Sequence, residues 1–207
     1  PYAMKALKGE GVFRPGGAGT TTCVIADRWG NVISATPSAN VYVEGGWSQA
    51  GVTYGNRLRS LNTTPGHPNC IAPGKRPRIT LTPTLAIKEG ASPEERAVVA
   101  ISVAGGDLQD QAALTVLLNH IDFGMGPADA VTTPCFATEH HEDSFDPNPV
   151  REQAFLQAGS LKVNEQVDAG VRAELAARGH TVTTSPTYIA RPVMLYADLQ
   201  SGLAQAA

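Results

Sequence analysis

Residues 19–40 read GTTTCVIADRWGNVISATPSAN, and this stretch decides the fold. Thr20–Ala26 is β-branched and apolar, the composition of a strand. Asp27-Arg28-Trp29-Gly30-Asn31 is a turn, and Val32–Thr36 returns as a second strand, so the pair is expected to form a hairpin. Upstream, residues 1–19 are polar and glycine-rich, ending Arg14-Pro15-Gly16-Gly17-Ala18-Gly19, a stretch that bends easily and packs poorly. The texture changes at Thr20.

Downstream, residues 44–78 are rich in Gly, Pro, Asn and Ser, and a long irregular segment of that kind is usually functional. Arg78–Ile87 and Arg96–Val103 read as two further strands. After Gly105-Gly106 the apolar period lengthens from 2 to 3.6, and Leu114, Leu117, Leu118 and Ile121 form a helical stripe at i, i+3, i+4 and i+7. Asp107, at the start of that helix, is expected to cap it. A short helix over 127–132, a polar loop over 138–150 and a second amphipathic helix over Val167–Arg178, stopped by Gly179, follow. Thr181–Thr184 and Pro192–Asp198 are expected as the last strands. The order is that of a mixed α+β layered domain and not of alternating βαβ units. There is no internal repeat.

The bulk numbers bound the function. The 207 residues are enough for a sizeable core, and 42% hydrophobic with 17% charged residues describes a globular chain. A net charge of −3 argues against a dedicated nucleic-acid binder. No apolar run reaches the roughly 18 residues of a membrane span. Three cysteines, Cys23, Cys70 and Cys135, with no CxxC, suggest neither a disulfide framework nor a thiolate zinc site, and leave the compartment open. The opening Pro1-Tyr2-Ala3-Met4 is not a signal peptide and reads as the middle of a longer polypeptide.

The chemistry starts at Gly19-Thr20. A threonine hydroxyl is a poor nucleophile unless a base takes its proton. A threonine that begins a chain carries its own base, an α-amine with an ordinary pKa of about 7.7–8.0. Releasing that amine requires cleavage of the preceding peptide bond. Glycine suits this position, because its backbone tolerates conformations that expose its carbonyl to the neighbouring hydroxyl. By itself Gly-Thr-Thr reads as the start of a strand, and the surrounding blocks change that weighting.

Those blocks are Thr20-Thr21-Thr22, then Asp27-Arg28-Trp29-Gly30-Asn31, then Ser38-Ala39-Asn40. Further on come Gly74-Lys75-Arg76-Pro77, then Thr82-Pro83-Thr84, and Gly105-Gly106 opening a helix. In this order they resemble the small subunit of the γ-glutamyltranspeptidase family, from about Thr20 to Ala207. The resemblance implies a four-layer αββα sandwich of the N-terminal-nucleophile hydrolase type, of which this chain supplies the catalytic half. Residues 1–19 would be the end of a large subunit and residues 20–207 the small one, paired in a heterodimer or a dimer of heterodimers. Thr20 would cleave the bond after Gly19 and then serve as catalytic nucleophile. Gly105 and Gly106 would form the oxyanion hole, Ser38 would assist Thr20 from a position where the family usually has threonine, and Asn40 would hold the substrate head group. No cofactor and no metal is implied.

The chain also departs from the family pattern. Ser60 stands where the family has the aspartate that pairs with the substrate's α-ammonium, and Arg57 and Arg59 precede it. A cationic loop repels an ammonium group and attracts a carboxylate. Ile79-Thr80 replaces a Ser-Ser pair, leaving Thr80 as the remaining hydroxyl. We therefore expect Arg57, Ser60 and Thr80 to contact substrate, and expect an amidohydrolase or acyltransferase acting on a small carboxylate-bearing amide. A true γ-glutamyltransferase acting on glutathione-like amides and an inactive homologue serving as a binding subunit are the competing readings. Glu139-His140-His141-Glu142-Asp143 reads as a solvated loop, since adjacent histidines cannot both face one ion on a regular element.

Overall fold

Asp27 closes the first hairpin. Its carboxylate accepts from the backbone N–H groups of Trp29 and Asn31, each at 2.9 Å, and from the Asn31 side chain at 2.8 Å. Gly30 supplies the left-handed turn residue at φ 84°. The strands so joined are β1 (Cys23–Ala26) and β2 (Val32–Ala35), antiparallel, with Val24 opposite Ser34 and Ile25 opposite Ile33. The ladder reopens beyond them, where Thr20 bridges Ser38 and the Thr21 N–H donates to the Pro37 carbonyl at 2.8 Å.

The computed structural model describes residues 20–38, 48–49, 52–53, 60–144, 148, 150, 153–155, 157–186 and 188–207. After the hairpin come β3 (Ser48–Gln49), β4 (Val52–Thr53), β5 (Thr84–Lys88) and β6 (Ala97–Ala104). A 3-10 turn over Gly106–Leu108 leads into α1 (Gln109–Ile121), followed by α2 (Pro127–Thr132), β7 (Phe136–Ala137) and β8 (Ser160–Asn164). The chain ends with α3 (Ala169–Ala177), β9 (Thr181–Ser185), β10 (Arg191–Asp198) and β11 (Leu203–Ala206). Asp168 caps α3 by accepting from the N–H groups of Gly170 and Val171.

The architecture is α+β. Strands β11, β10, β6 and β5 form one antiparallel sheet in that order, with β6 buried along nearly its whole length. One face of β6 (Val99, Ile101, Val103) packs with Met194 against Ala113 and Val116 of α1 and Ala130 of α2. On the other face, Ala100 packs with Leu195 and Ala197 against Val24, Ala26 and Val32 of the hairpin. The described layers are therefore sheet, sheet and helices, the chain's share of a four-layer αββα sandwich. A second sheet, β7-β8-β9, pairs β8 and β9 in parallel, with α3 as the crossover that parallel pairing demands.

Several expectations need correction. The strand expected over Arg78–Ile87 begins only at Thr84, because Pro77 and Pro83 have no N–H for a ladder. Strands β7, β8 and β11 were not anticipated. The Leu114, Leu118, Ile121 stripe is not the buried face of α1: these side chains are 56%, 40% and 60% exposed, and only Leu117 joins the core. The bulky face of β6 instead receives the smaller Ala113 and Val116, together with Gln109, from the adjacent row. Asp107 does not cap this helix. Its carboxylate turns away to tertiary partners, and neither the 3-10 turn nor α1 has a side-chain cap.

Candidate active site

Two elements from different sheets converge at one end of the molecule. Thr20 and Ser38 lie where the hairpin strands meet beyond the turn, and their hydroxyls are 2.9 Å apart, both half-buried. Gly105 and Gly106 follow the last residue of β6. The hairpin and β6 are stitched together through polar side chains: Ser34 Oγ donates to the Ile101 carbonyl at 2.6 Å, and Ser102 Oγ donates to the Ala35 carbonyl at 2.9 Å. Since the Ser102 proton is committed to Ala35, the Thr36 hydroxyl donates to Ser102 Oγ, at 2.8 Å. Contacts thus advance from Ser34 and Ile101 to Thr36 and Ser102. Beyond these contacts β2 runs on toward Ser38 and β6 runs on toward Gly105 and Gly106.

Gly105 has extended φ (173°), while Gly106 sits at φ 61° in the left-handed region. That reversal between β6 and the 3-10 turn is one that glycine adopts without a Cβ penalty. A Cβ on Gly105 would lie 3.1 Å from the Ala190 Cβ, so the strand end is also closely packed. Backbone N–H groups at the start of a helical segment carry partial positive charge, which favours a developing anion.

Beside this turn lies a small cleft of about 70 Å³, lined by Arg78, Ile79, Thr80, Thr82, Asp107 and Asp110. The Oγ1 atoms of Thr80 and Thr82 are buried and without a hydrogen-bond partner among the described residues. Ser60 is only 1% exposed, and its Oγ is likewise unpartnered. Asn69 ties the Ser60 segment to the cleft, since its Nδ2 donates to the Ser60 carbonyl and its Oδ1 accepts from Arg78 N at 3.1 Å. Buried donors with no partner are costly in a folded chain. Those of Thr80 and Thr82 line one cleft, which makes it a place where polar ligand groups can be received.

Of the expected site residues, the structure brings Thr20 and Ser38 into contact, sets Gly105 and Gly106 directly after β6, and buries Ser60 and Thr80, whose segments Asn69 ties together. Gly19, Asn40 and Arg57 lie outside the described residues. Gln109 was missed. It is fully buried in α1, and with its amide nitrogen turned to the carbonyls it donates to Val103 O at 2.9 Å and Thr80 O at 3.2 Å. A glutamine at the first position of a helix carries no sequence signal for such a role. In the 139–144 loop, His140 meets the Phe155 ring edge-on, and His141 Nδ1 lies 3.0 Å from the Glu142 carbonyl. No cluster of three metal-ligating side chains occurs among the described residues. Cys23, Cys70 and Cys135 are free thiols, and burial raises the pKa of Cys135.

Residues 5–206 match the model of the Gamma-glutamyltranspeptidase family. An Acylase ACY 1 proenzyme of Pseudomonas sp. (strain V22) is 32% identical over 192 residues, covering 89% of this chain and 30% of that protein. A Glutathione hydrolase proenzyme of Bacillus subtilis subsp. natto is 29% identical over 185 residues, covering 88% of this chain and 28% of that protein. Among solved structures, LmbA2991HD superposes with a TM-score of 0.72 at 32% identity, over 95% of this chain and 34% of that one. The chain spans less than a third of the length of the curated relatives it matches.

Proposed function

The chain belongs to the γ-glutamyltranspeptidase family, and from that membership we propose that it is the catalytic part of a self-processing amidohydrolase with Thr20 as nucleophile. The observation that carries this reading is the 2.9 Å contact between Thr20 Oγ1 and Ser38 Oγ. In processing, Thr20 Oγ1 attacks the Gly19 carbonyl carbon. The C–O ester bond forms as the C–N bond breaks, and the hydroxyl proton passes to the departing nitrogen. Water then hydrolyses the ester, leaving a carboxylate at Gly19 and a free α-amine on Thr20.

In turnover that amine takes the hydroxyl proton, and Oγ1 attacks the substrate amide carbon. The N–H groups of Gly105 and Gly106 stabilise the negative oxygen of the tetrahedral intermediate. Collapse expels the amine, which takes the proton back, and leaves an acyl ester on Thr20. Water resolves that ester in hydrolysis; an acceptor amine resolves it in transfer. Ser38 holds the Thr20 hydroxyl in the attacking rotamer.

The substrate is an amide whose acyl end carries a carboxylate. Ser60 places a neutral hydroxyl where the family pattern has the carboxylate for an α-ammonium, and Thr80 offers a second buried donor. The likeness to an acylase proenzyme supports the amide-cleaving part of this reading.

The partner is an N-terminal subunit from the same precursor. Ile25 and Ile33, paired across the hairpin on the face away from the core, are 51% and 55% exposed. That face is where the remaining helical layer of an αββα sandwich would lie. The proenzyme relatives are more than three times the length matched here.

The test is turnover of glutaryl-p-nitroanilide against γ-glutamyl-p-nitroanilide by the purified full-length protein. The reading predicts faster release of p-nitroaniline from the glutaryl compound. Preference for the γ-glutamyl compound would make the protein a γ-glutamyltransferase with a rearranged head-group site. Turnover of neither, with Thr20 unacylated, would point to an inactive binding subunit.

A further inference from the structure

We propose that Asp107 and Arg78 act as a single positioning device that holds the Gly105–Gly106 turn against the substrate cleft. This inference rests on the reading of that turn as the oxyanion hole. An aspartate in the first turn after a strand ordinarily caps the helix it introduces, and Asp107 makes no cap. Its side chain is 9% exposed. One carboxylate oxygen, Oδ2, accepts from Ser144 N at 3.0 Å. The other, Oδ1, accepts from Ser144 Oγ and from Arg78 Nη2, the latter at 3.3 Å. Every bond therefore runs to a segment distant in sequence.

Arg78 extends the device. Its Nη1 reaches the Glu142 carbonyl at 3.5 Å, and its backbone N–H is held by Asn69, which also holds the Ser60 carbonyl. The Glu142 side chain faces His67 Nε2 at 3.8 Å. His67 Nδ1 accepts from Asn69 N at 2.9 Å, so the ring proton lies on Nε2, toward Glu142. Three segments (60–78, the turn at 105–107, and 139–144) are thus joined through one buried carboxylate and one guanidinium. Gln109 is a second tie, joining Thr80 to the end of β6. A left-handed glycine turn has little rigidity of its own, and displacing an oxyanion donor by about 1 Å costs on the order of a hundredfold in rate.

The test uses Asp107→Asn, Arg78→Met and the double variant of the full-length protein. It reads kcat and KM on whichever anilide the wild type cleaves, and hydrogen exchange of the Gly105–Leu108 amides. The expectation is at least a tenfold fall in kcat for each single variant, KM within about twofold of wild type, and a double variant no worse than Asp107→Asn alone. Non-additivity of that kind is what two residues acting as one unit produce. Exchange at Gly105–Leu108 should rise at least tenfold, while that of Val98–Ile101 stays unchanged. A kcat within twofold of wild type in both single variants, or additive losses in the double, overturns the proposal. A wild type that cleaves neither anilide defeats the functional reading instead. The positioning claim is then decided by exchange: a selective rise at the turn supports it, and unchanged exchange overturns it.

Discussion

Thr20 Oγ1 lies 2.9 Å from Ser38 Oγ, across the isolated bridge that joins their backbones. Position 38 is fixed by the strand that precedes it, because Thr36, two residues earlier, is locked to Ser102. Ser38→Ala should therefore slow both cleavage after Gly19 and turnover by about 3–10-fold, the worth of one hydrogen bond to an oriented hydroxyl. Ser38→Thr should restore or exceed the wild-type rate, since a β-branched side chain has fewer rotamers to lose. Time courses of subunit formation and anilide release read both effects.

The seam between hairpin and main sheet is a buried polar contact inside an otherwise apolar layer. Ser102→Ala leaves the Thr36 hydroxyl buried without an acceptor and the Ala35 carbonyl without its donor, at a cost of about 1–3 kcal/mol. The double variant Thr36→Val/Ser102→Ala should cost less than the sum of the single changes, because it removes the stranded donor. Denaturant unfolding of the four proteins measures this.

Much of this was legible in the sequence, for identifiable reasons. The hairpin was clear because Asp27, Gly30 and Asn31 carry turn chemistry that acts within five residues. The pairing of Thr20 with Ser38 follows from that register. The inner face of α1 was not legible: Leu114, Leu118 and Ile121 form the stronger apolar stripe, yet the space above Val99, Ile101 and Val103 admits Ala113 and Val116. Which face turns inward was decided by fit to the sheet and not by periodicity. Asp107 was misread for a similar reason. A cap is a local expectation, whereas its partners Arg78 and Ser144 lie 29 and 37 residues away. The parallel pairing of β8 with β9 depends on a crossover that no short window contains.

Gly106 sits at φ 61°, in the left-handed region. Gly106→Ala should destabilise the protein by about 1–2 kcal/mol, the cost of a Cβ in that conformation. Under the proposed oxyanion role it should also lower kcat by about a hundredfold or more, the worth of one such donor. A fall in activity much larger than the loss of folded protein separates the two effects.

Asp27 should make stability depend on acid. The bond from the Asn31 side chain holds its carboxyl below the ordinary value of 3.8. A depressed carboxyl contributes stability that is fully present above its unfolded pKa and is lost as pH falls through the lower folded value. The difference in Tm between wild type and Asp27→Asn should thus be constant at and above about pH 6 and shrink below 3.8. A difference that does not change with pH would mean that the hairpin turn draws nothing from the charged form.

The central claim is that Thr20 becomes the first residue of a catalytic subunit. Intact-mass spectrometry of the purified full-length protein, beside Thr20→Ala, tests it most directly. The account predicts that wild type separates into two species, the smaller beginning at Thr20, while the variant stays whole. A wild type that stays whole, or a cut that persists in Thr20→Ala, would contradict it.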